Sequence, residues 1–323
     1  MNHDLADDCG KATLSRMARI AADITWLIGS TPLVELHRLA PTGARLVAKL
    51  ESFNPSGSNK DRTALGMIQH AELHGSLKPA GTIIECTSGD LGLAIAMVGR
   101  RRGYRVILTM PENATVLRPT LLRALGAELV LTKAADGMRG AMAHAEELVR
   151  KTEGAICLQA FSNRANAKIH GETTAHEIWQ DTDGAVRAIV VPIGTGGTAA
   201  GCAAVLRERG VRIIGVEPST SAVLSGQNAG SHDIPGLGAG FIPGLLGHKV
   251  LDEVVRVTDV EANVSVQDLA RTESILVGPA SGAVLHAARH VAQRPEYQGQ
   301  LIIAVLPDSG ERFCDHRAYR QEE

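Results

Sequence analysis

Residues 82–110, TIIECTSGDLGLAIAMVGRRRGYRVILTM, decide the fold class of this chain. The stretch begins and ends with short runs of β-branched and aliphatic residues, at 82–86 and 105–109, and each run predicts a buried strand. Residues 91–102 between them carry a helical pattern that Gly103 closes, as glycine often does at helix ends. A strand, a helix and a strand at this spacing predict a parallel sheet covered on both faces.

The same alternation extends in both directions along the chain. Further runs predict strands at residues 46–50, 128–132, 188–191, 211–216 and 301–306, and helical patterns lie at 61–74, 116–125 and 197–209. A chain of 323 residues is too long for one core of this kind. We therefore predict an α/β protein with two doubly wound parallel-sheet domains, residues 1–156 and 157–323, with about residues 20–48 packing on the second domain and a cleft between the two.

The composition excludes several classes of function. With two Trp, three Tyr and four Phe, the chain is too poor in aromatic residues to build the stacking surfaces that bind single-stranded nucleic acid, and a net charge of -2 supplies no basic surface. No apolar run approaches the roughly 18 residues of a membrane span. Residues 1–18 lack the apolar core of a secretory signal. We expect a polar tail there and a cytoplasmic protein that binds neither nucleic acid nor membranes.

The cysteines argue against a disulfide framework and against a metal site. There are five of them, an odd number, and they include no C-x-x-C pair and no cluster with histidine. We therefore expect no metal in this protein, and we interpret the buried cysteines as small apolar side chains.

The loops that follow predicted strands are the candidate binding sites, because ligands of such folds bind at the carboxyl ends of the strands. The most informative loop is Gly194-Thr195-Gly196-Gly197-Thr198, which opens a helix. Its small residues let several backbone N–H groups converge on one anion, and the helix dipole adds to the attraction. It matches neither the dinucleotide fingerprint, since residue 199 is Ala, nor the nucleoside triphosphate loop. A phosphate site and a tight turn without a ligand both fit it.

Two further loops carry groups that could react or bind. Lys60 lies in the first turn of a predicted helix, where the dipole lowers the pKa of an amine, so Lys60 is either an imine-forming nucleophile or a solvated lysine. The loop Thr87-Ser88-Gly89-Asp90-Leu91-Gly92 offers N–H groups and hydroxyls. It could bind a carboxylate, or it could be an ordinary helix cap.

Together these loops suit one cofactor, pyridoxal 5′-phosphate. That cofactor needs a lysine for its aldehyde, a pocket for its phosphate and a partner for its ring nitrogen. Ser281, in the segment 278–283, is the candidate for the third role. A hydroxyl at that place, instead of a carboxylate, would leave the ring nitrogen unprotonated and favour elimination and replacement at the substrate's β-carbon.

On these residues, the chain resembles the cysteine synthase (O-acetylserine sulfhydrylase) family of fold-type II pyridoxal-phosphate enzymes, whose fold is like that of the tryptophan synthase β subunit. The resemblance covers about residues 24–313. The matching motifs lie at residues 28–33, 54–62, 87–89, 110–112, 194–198, 236–243 and 307–312.

The resemblance implies a role for each candidate residue. Lys60 is the Schiff-base lysine and the base for the α-proton, the loop from Gly194 to Thr198 holds the phosphate, and Ser281 meets the ring nitrogen. The loop at Thr87, Ser88, Gly89, Asp90 and Leu91 binds the substrate carboxylate together with residue 160, and residue 90 also reaches the cofactor's 3′-oxygen.

The implied reaction is β-replacement on an O-activated L-serine, O-acetyl-L-serine or O-phospho-L-serine. Sulfide or another small nucleophile replaces the leaving group and gives L-cysteine or a β-substituted alanine. The implied assembly is a homodimer.

The chain also departs from the family pattern. Asp90 stands where Asn is expected, Leu91 replaces a hydroxyl residue, Ala160 replaces a glutamine and Asn59 replaces Val or Ile. The first three changes fall in the predicted carboxylate pocket. A carboxylate at Asp90 facing a substrate carboxylate would cost about 1–4 kcal/mol at a separation of about 4 Å. Two alternatives therefore stand beside cysteine synthesis: a β-substitution enzyme with an altered substrate and a non-sulfide nucleophile, and a weakly catalytic cofactor-binding partner protein.

Overall fold

The computed structural model describes residues 20–41, 43–87, 89–112, 117–247 and 249–320. The polar tail expected at residues 1–18 lies outside them. The strands are β1 (Leu33–Glu35), β2 (Arg45–Leu50), β3 (Thr82–Cys86), β4 (Arg105–Pro111), β5 (Glu128–Thr132), β6 (Ala155–Cys157), β7 (Val186–Pro192), β8 (Arg212–Pro218), β9 (Glu253–Val257) and β10 (Leu301–Leu306).

The helices are α1 (Lys60–Leu73), α2 (Asp90–Arg101), α3 (Leu117–Ala124), α4 (Gly137–Lys151), α5 (Arg164–His170), α6 (His176–Asp181), α7 (Gly197–Leu206), α8 (Asp259–Glu273) and α9 (Pro279–Ala292). A π-helical turn, Gly171–Ala175, joins α5 to α6. Among the described residues, no helix is both long enough and apolar enough to cross a bilayer.

The strands form two sheets, which confirms the predicted fold class. One sheet has six strands in the order β1-β2-β10-β7-β8-β9, and the other has four in the order β5-β4-β3-β6. All neighbours are parallel except β1, which pairs antiparallel with β2 at the edge of the larger sheet. The stretch at 82–110 forms β3, α2 and most of β4, as predicted, with Thr82 opposite Arg105 and Cys86 opposite Thr109.

The strand β2 belongs to the larger sheet although it precedes all strands of the smaller one. It pairs with β10 along its whole length, from Arg45 opposite Leu301 to Leu50 opposite Leu306. Strand β2 therefore packs on the second half of the chain, and the assignment of about residues 20–48 to the second domain stays a prediction. The division at residue 156 stays a prediction, and β6, which pairs with β3, crosses it by one residue.

Both faces of each sheet are covered by helices. Successive side chains of a strand point to opposite faces, so Ile83 of β3 joins a core that includes residues of α1 and α2, whereas Ile84 packs with Ala141 of α4. In the larger sheet, Ile302 joins the core formed with α8 and α9, and Ile303 joins the core formed with α7. The carboxyl ends of β3, β7 and β10 are left open toward one cleft.

Candidate active site

The cleft lies at the carboxyl ends of strands from both sheets and has a volume of about 330 Å³. That volume is large enough for a small cofactor or substrate. Of the residues predicted from the sequence, the cleft brings together seven: Lys60, Thr87, Gly89, Asp90, Leu91, Gly194 and Thr195. Among the described residues, no group of three or more His, Cys, Asp or Glu side chains is placed to hold a metal ion.

Lys60 is the first residue of α1 and lines the cleft. Its ammonium donates a hydrogen bond of 2.7 Å to Oδ1 of Asn59. Desolvation lowers the pKa of Lys60, and the negative charges of Asp90, Asp308 and Glu51 oppose that shift. A lysine with a lowered pKa is more often the neutral amine, which is the form that attacks an aldehyde.

The loop from Gly194 to Thr198 connects β7 to α7 and has the shape of an anion cradle. Gly196 adopts φ +82°, a left-handed conformation that favours glycine. A Cβ atom on Gly194 would overlap the carbonyl oxygen of Gly236. The backbone is therefore accessible at close range, and the N-terminus of α7 directs N–H groups toward the loop. These features fit a phosphate group.

Buried polar side chains hold this loop in place. Asn166 donates to Oγ1 of Thr195 at 3.0 Å, and Asn59 donates to Oγ1 of Thr198 at 3.1 Å. The ring of His170 lies 3.3 Å from Oγ1 of Thr198, and burial lowers the pKa of His170 to about 3, so this ring is neutral at physiological pH. Asn166 and His170 could not be predicted from the sequence, because isolated polar residues within a helical pattern carry no signal of a distant partner.

Ser281 lies in the first turn of α9 and is fully buried. Its hydroxyl donates to Oδ1 of Asp308, a residue that lines the cleft. Burial, followed by the charge of Asp90, raises the pKa of Asp308 to about 7. The structure thus adds an unpredicted carboxyl group beside the residue predicted to meet the ring nitrogen.

The loop after β3 is organised by Thr87, whose Oγ1 accepts hydrogen bonds from the N–H groups of Gly89 and Gly92 at 3.0 and 2.9 Å. Leu91 is 8% exposed and lines the cleft while packing in the core of the smaller sheet. Ser88 lies outside the described residues. The backbone of this segment opens α2, whose N-terminus favours an anion.

Asp90 forms an ion pair with Arg312, with Oδ1 2.7 Å from the guanidinium. The two side chains are 17% and 11% exposed, so the pair is well shielded from solvent. Arg312 also donates to the carbonyl oxygen of Ser56. The negative charge that Asp90 brings to the cleft is therefore matched by a positive charge from the far end of the chain.

Ala160 is fully buried, and its side chain packs in the core of the smaller sheet. Its carbonyl oxygen accepts a hydrogen bond of 2.8 Å from Asn166. The next residue, Phe161, lines the cleft and packs edge-on against Phe241 with 4.9 Å between ring centroids. A role for Ala160 in binding a carboxylate stays a prediction, and its neighbour is the residue that faces the cleft.

A network of buried charges anchors the start of α1 beneath Lys60. Arg62 pairs with Glu51 at 2.8 Å and with Glu177 at 2.6 Å, and Lys49 pairs with Glu177 at 2.7 Å. Burial alone would raise the pKa of Glu177, but the two cations outweigh it and hold the value at about 2. The network ties α1 to β2 and α6, and so holds Lys60 against the larger sheet.

The sequence of this chain is similar to those of known proteins over most of its length. Residues 24–308 match the family model described as pyridoxal-phosphate dependent enzyme. The chain is 43% identical to cysteine synthase A of Salmonella typhi over 308 residues, which cover 92% of this chain and 95% of the relative.

Two solved structures show the same fold over nearly the whole chain. The cysteine synthase of Entamoeba histolytica has a TM-score of 0.91 at 38% identity and covers 96% of this chain and 94% of its own. An O-ureido-L-serine synthase has a TM-score of 0.89 at 40% identity and covers 93% and 96%.

Proposed function

The chain belongs to the pyridoxal-phosphate dependent enzyme family, and from that premise we propose that it catalyses β-replacement on an O-activated L-serine, with sulfide as the nucleophile. The observation that carries this proposal is the meeting in one cleft of Lys60, the loop that begins at Gly194 and the loop that begins at Thr87. These residues follow separate strands of two sheets, yet the fold brings them to one place.

The residues present fit the cofactor. Lys60 would hold its aldehyde carbon, the N–H groups of the loop from Gly194 to Thr198 would hold its phosphate, and Ser281, backed by Asp308, would meet its ring nitrogen. The bound cofactor supplies an electron sink for negative charge that develops on the substrate's α-carbon.

Side chains and backbone groups of this protein carry out the other steps of the proposed reaction. Nζ of Lys60 accepts the proton from the α-carbon, which its lowered pKa allows because a fraction of the amine is neutral. The N–H groups at the start of α2 bind the substrate carboxylate. Leu91 and Phe161 form apolar walls that limit the access of water to the reacting carbon.

The proposal is tested by titrating the purified protein with O-acetyl-L-serine and then with sulfide. We expect the visible absorption of the bound cofactor to change on addition of the first compound and to return on addition of the second, with L-cysteine as the product by mass spectrometry. A cofactor band that does not respond to O-acetyl-L-serine or O-phospho-L-serine would contradict the proposal and favour the weakly catalytic partner protein.

A second candidate function, β-substitution with a non-sulfide nucleophile, is favoured by Asp90, a carboxylate that lines the cleft where the family resemblance predicts an asparagine. In this case the titration would give a spectral change that sulfide does not reverse but another nucleophile does. The variant Asp90→Asn provides the comparison, because it removes one negative charge and leaves Arg312 free to attract a carboxylate. Tighter binding of O-acetyl-L-serine in this variant than in the wild type would favour the second candidate.

We also propose that the protein is a homodimer. The described residues include exposed large apolar side chains near the start of the chain, Ile24, Trp26 and Leu27, together with Phe53, and exposed apolar surface of this kind marks interaction sites. We expect sedimentation to give twice the chain mass of 34.1 kDa. A single chain mass at micromolar concentration would contradict the assembly without affecting the proposed reaction.

A further inference from the structure

Asn59 lies between the candidate nucleophile and the candidate phosphate loop and contacts both. Its Oδ1 accepts a hydrogen bond of 2.7 Å from the ammonium of Lys60, and its Nδ2 donates one of 3.1 Å to Oγ1 of Thr198. The side chain is 2% exposed, so neither bond competes freely with water. A single buried amide therefore joins the two halves of the candidate cofactor site.

The orientation of this amide is fixed by its surroundings. Oγ1 of Thr198 also lies 3.3 Å from Nε2 of His170, and Nδ1 of His170 lies 2.9 Å from Oγ1 of Thr174. With Nδ2 engaged by Thr198, the oxygen of Asn59 is the atom that faces Lys60. The Val or Ile that the family resemblance predicts at position 59 has no atom that accepts a hydrogen bond, so this contact distinguishes the chain from that pattern.

We propose that Asn59 is a positioning residue that receives the ammonium of Lys60 whenever this lysine is not covalently joined to the cofactor, and that it thereby sets the pH at which Lys60 becomes a nucleophile. The inference rests on the proposed function, because it assigns Lys60 to the cofactor aldehyde. Asn59 keeps Nζ beside the phosphate loop, so that the amine is in place when the cofactor arrives.

The reaction of Lys60 with the cofactor aldehyde explains why the hydrogen-bond acceptor on Asn59 matters. The ammonium of Lys60 first releases one proton to water, and the neutral amine then attacks the aldehyde carbon. A C=N bond forms, and the aldehyde oxygen leaves as water with the two hydrogens of the amine. A hydrogen bond from the ammonium to Oδ1 stabilises the charged form and raises the pH needed for the first step.

The other groups that face Lys60 do not reproduce this contact. Asp90 at the start of α2, Asp308 after β10 and Glu51 after β2 raise the pKa of Lys60 through their charge, and His170 is neutral. The ammonium donates its hydrogen bond to Asn59. Asn59→Val therefore removes the hydrogen bonds to Lys60 and to Thr198, while the charges around Lys60 stay the same.

The test mixes the cofactor-free, full-length protein with pyridoxal 5′-phosphate and follows the rate at which the visible band appears as a function of pH. We expect Asn59→Val to lower the midpoint of this profile by about one pH unit, so that below the wild-type midpoint the variant joins the cofactor about tenfold faster. Asn59→Asp adds a negative charge, and we expect it to raise the midpoint. The two shifts must have opposite signs.

A second readout needs no cofactor. The rate at which acetic anhydride modifies Lys60 in the cofactor-free proteins, measured by peptide mass spectrometry, must show the same order of midpoints. The exposed Asn228 supplies the matched control, since Asn228→Val changes the same residue type outside the cleft and must leave both profiles unchanged. Thermal unfolding checks that the variants are folded, which we expect of Asn59→Val because it restores the residue typical of the family.

Equal midpoints for the wild type and Asn59→Val in the acetylation profile would overturn the role of Asn59. Failure of the proposed function looks different: the wild type would then develop no visible band at all, while the acetylation profiles would still decide whether Asn59 controls Lys60.

Discussion

Lys60→Ala is expected to abolish the visible absorption band of the cofactor and to lower the rate of β-replacement by at least about 10²–10⁴-fold, the range typical of a lost general base. The substitution removes both the amine that joins the cofactor and the group that accepts the α-proton. Lys60 is the lysine that lines the described cleft. Lys49, the lysine in the buried charge network beneath Lys60, is fully buried and paired with Glu177. Among the residues that the structure describes, no second lysine lines the cleft to substitute for Lys60.

The control for this prediction is Lys78→Ala, which removes an exposed lysine that follows α1 and lies outside the cleft. We expect the control to retain both the band and the rate. Absorption spectra at equal protein concentration and product formation by mass spectrometry make the comparison. A Lys60→Ala protein that keeps the band of the wild type would mean that another group holds the cofactor aldehyde, and it would remove Lys60 from the proposed mechanism.

The sequence predicted the parts of the site that depend on local pattern. The alternation of strands and helices located β3, α2 and β4 within a residue or two, and the small residues from Gly194 to Thr198 indicated a loop that opens α7. Such features are set by neighbouring residues, through side-chain periodicity and the conformational freedom of glycine. The position of Lys60 at the start of α1 followed from the same kind of signal.

The rest of the site depends on contacts between residues that are far apart in the chain. Asp308 meets Ser281 across 27 positions, and Arg312 meets Asp90 across 222. The periodicity of apolar residues along the sequence does not indicate which distant side chains form such contacts. The orientation of residue 160 could not be predicted from the sequence pattern either. The geometry of the turn after β6 decides whether Ala160 or Phe161 lines the cleft, and local sequence patterns do not predict that geometry.

The ion pair changes how the unusual Asp90 is interpreted. A lone carboxylate facing a substrate carboxylate would weaken binding by about 1–4 kcal/mol. With Arg312 at 2.7 Å, the pair presents little net charge to the cleft, and the substrate carboxylate meets the N-terminus of α2 without an unmatched negative group beside it. Asp90 is thus compatible with an amino-acid substrate, which keeps cysteine synthesis the first of the two candidate functions.

Gly194→Ala is expected to weaken binding of pyridoxal 5′-phosphate by a factor on the order of ten to a hundred. The new Cβ atom would overlap the carbonyl oxygen of Gly236, which is a backbone atom and cannot rotate away as a side chain would. Overpacking of this kind costs about 1–3 kcal/mol. The loop must move to relieve it, and the N–H groups that hold the phosphate move with it.

Gly247→Ala is the matched control, because a Cβ atom at Gly247 meets no atom of the described part of the chain within 4 Å. Both variants carry the same added methyl group, so a difference between their dissociation constants for the cofactor, measured by equilibrium titration, reports the crowding at Gly194. Thermal unfolding separates loss of the fold from loss of the site. If Gly194→Ala binds the cofactor as tightly as Gly247→Ala, the phosphate does not depend on the shape of this loop, and the cradle must be sought elsewhere in the cleft.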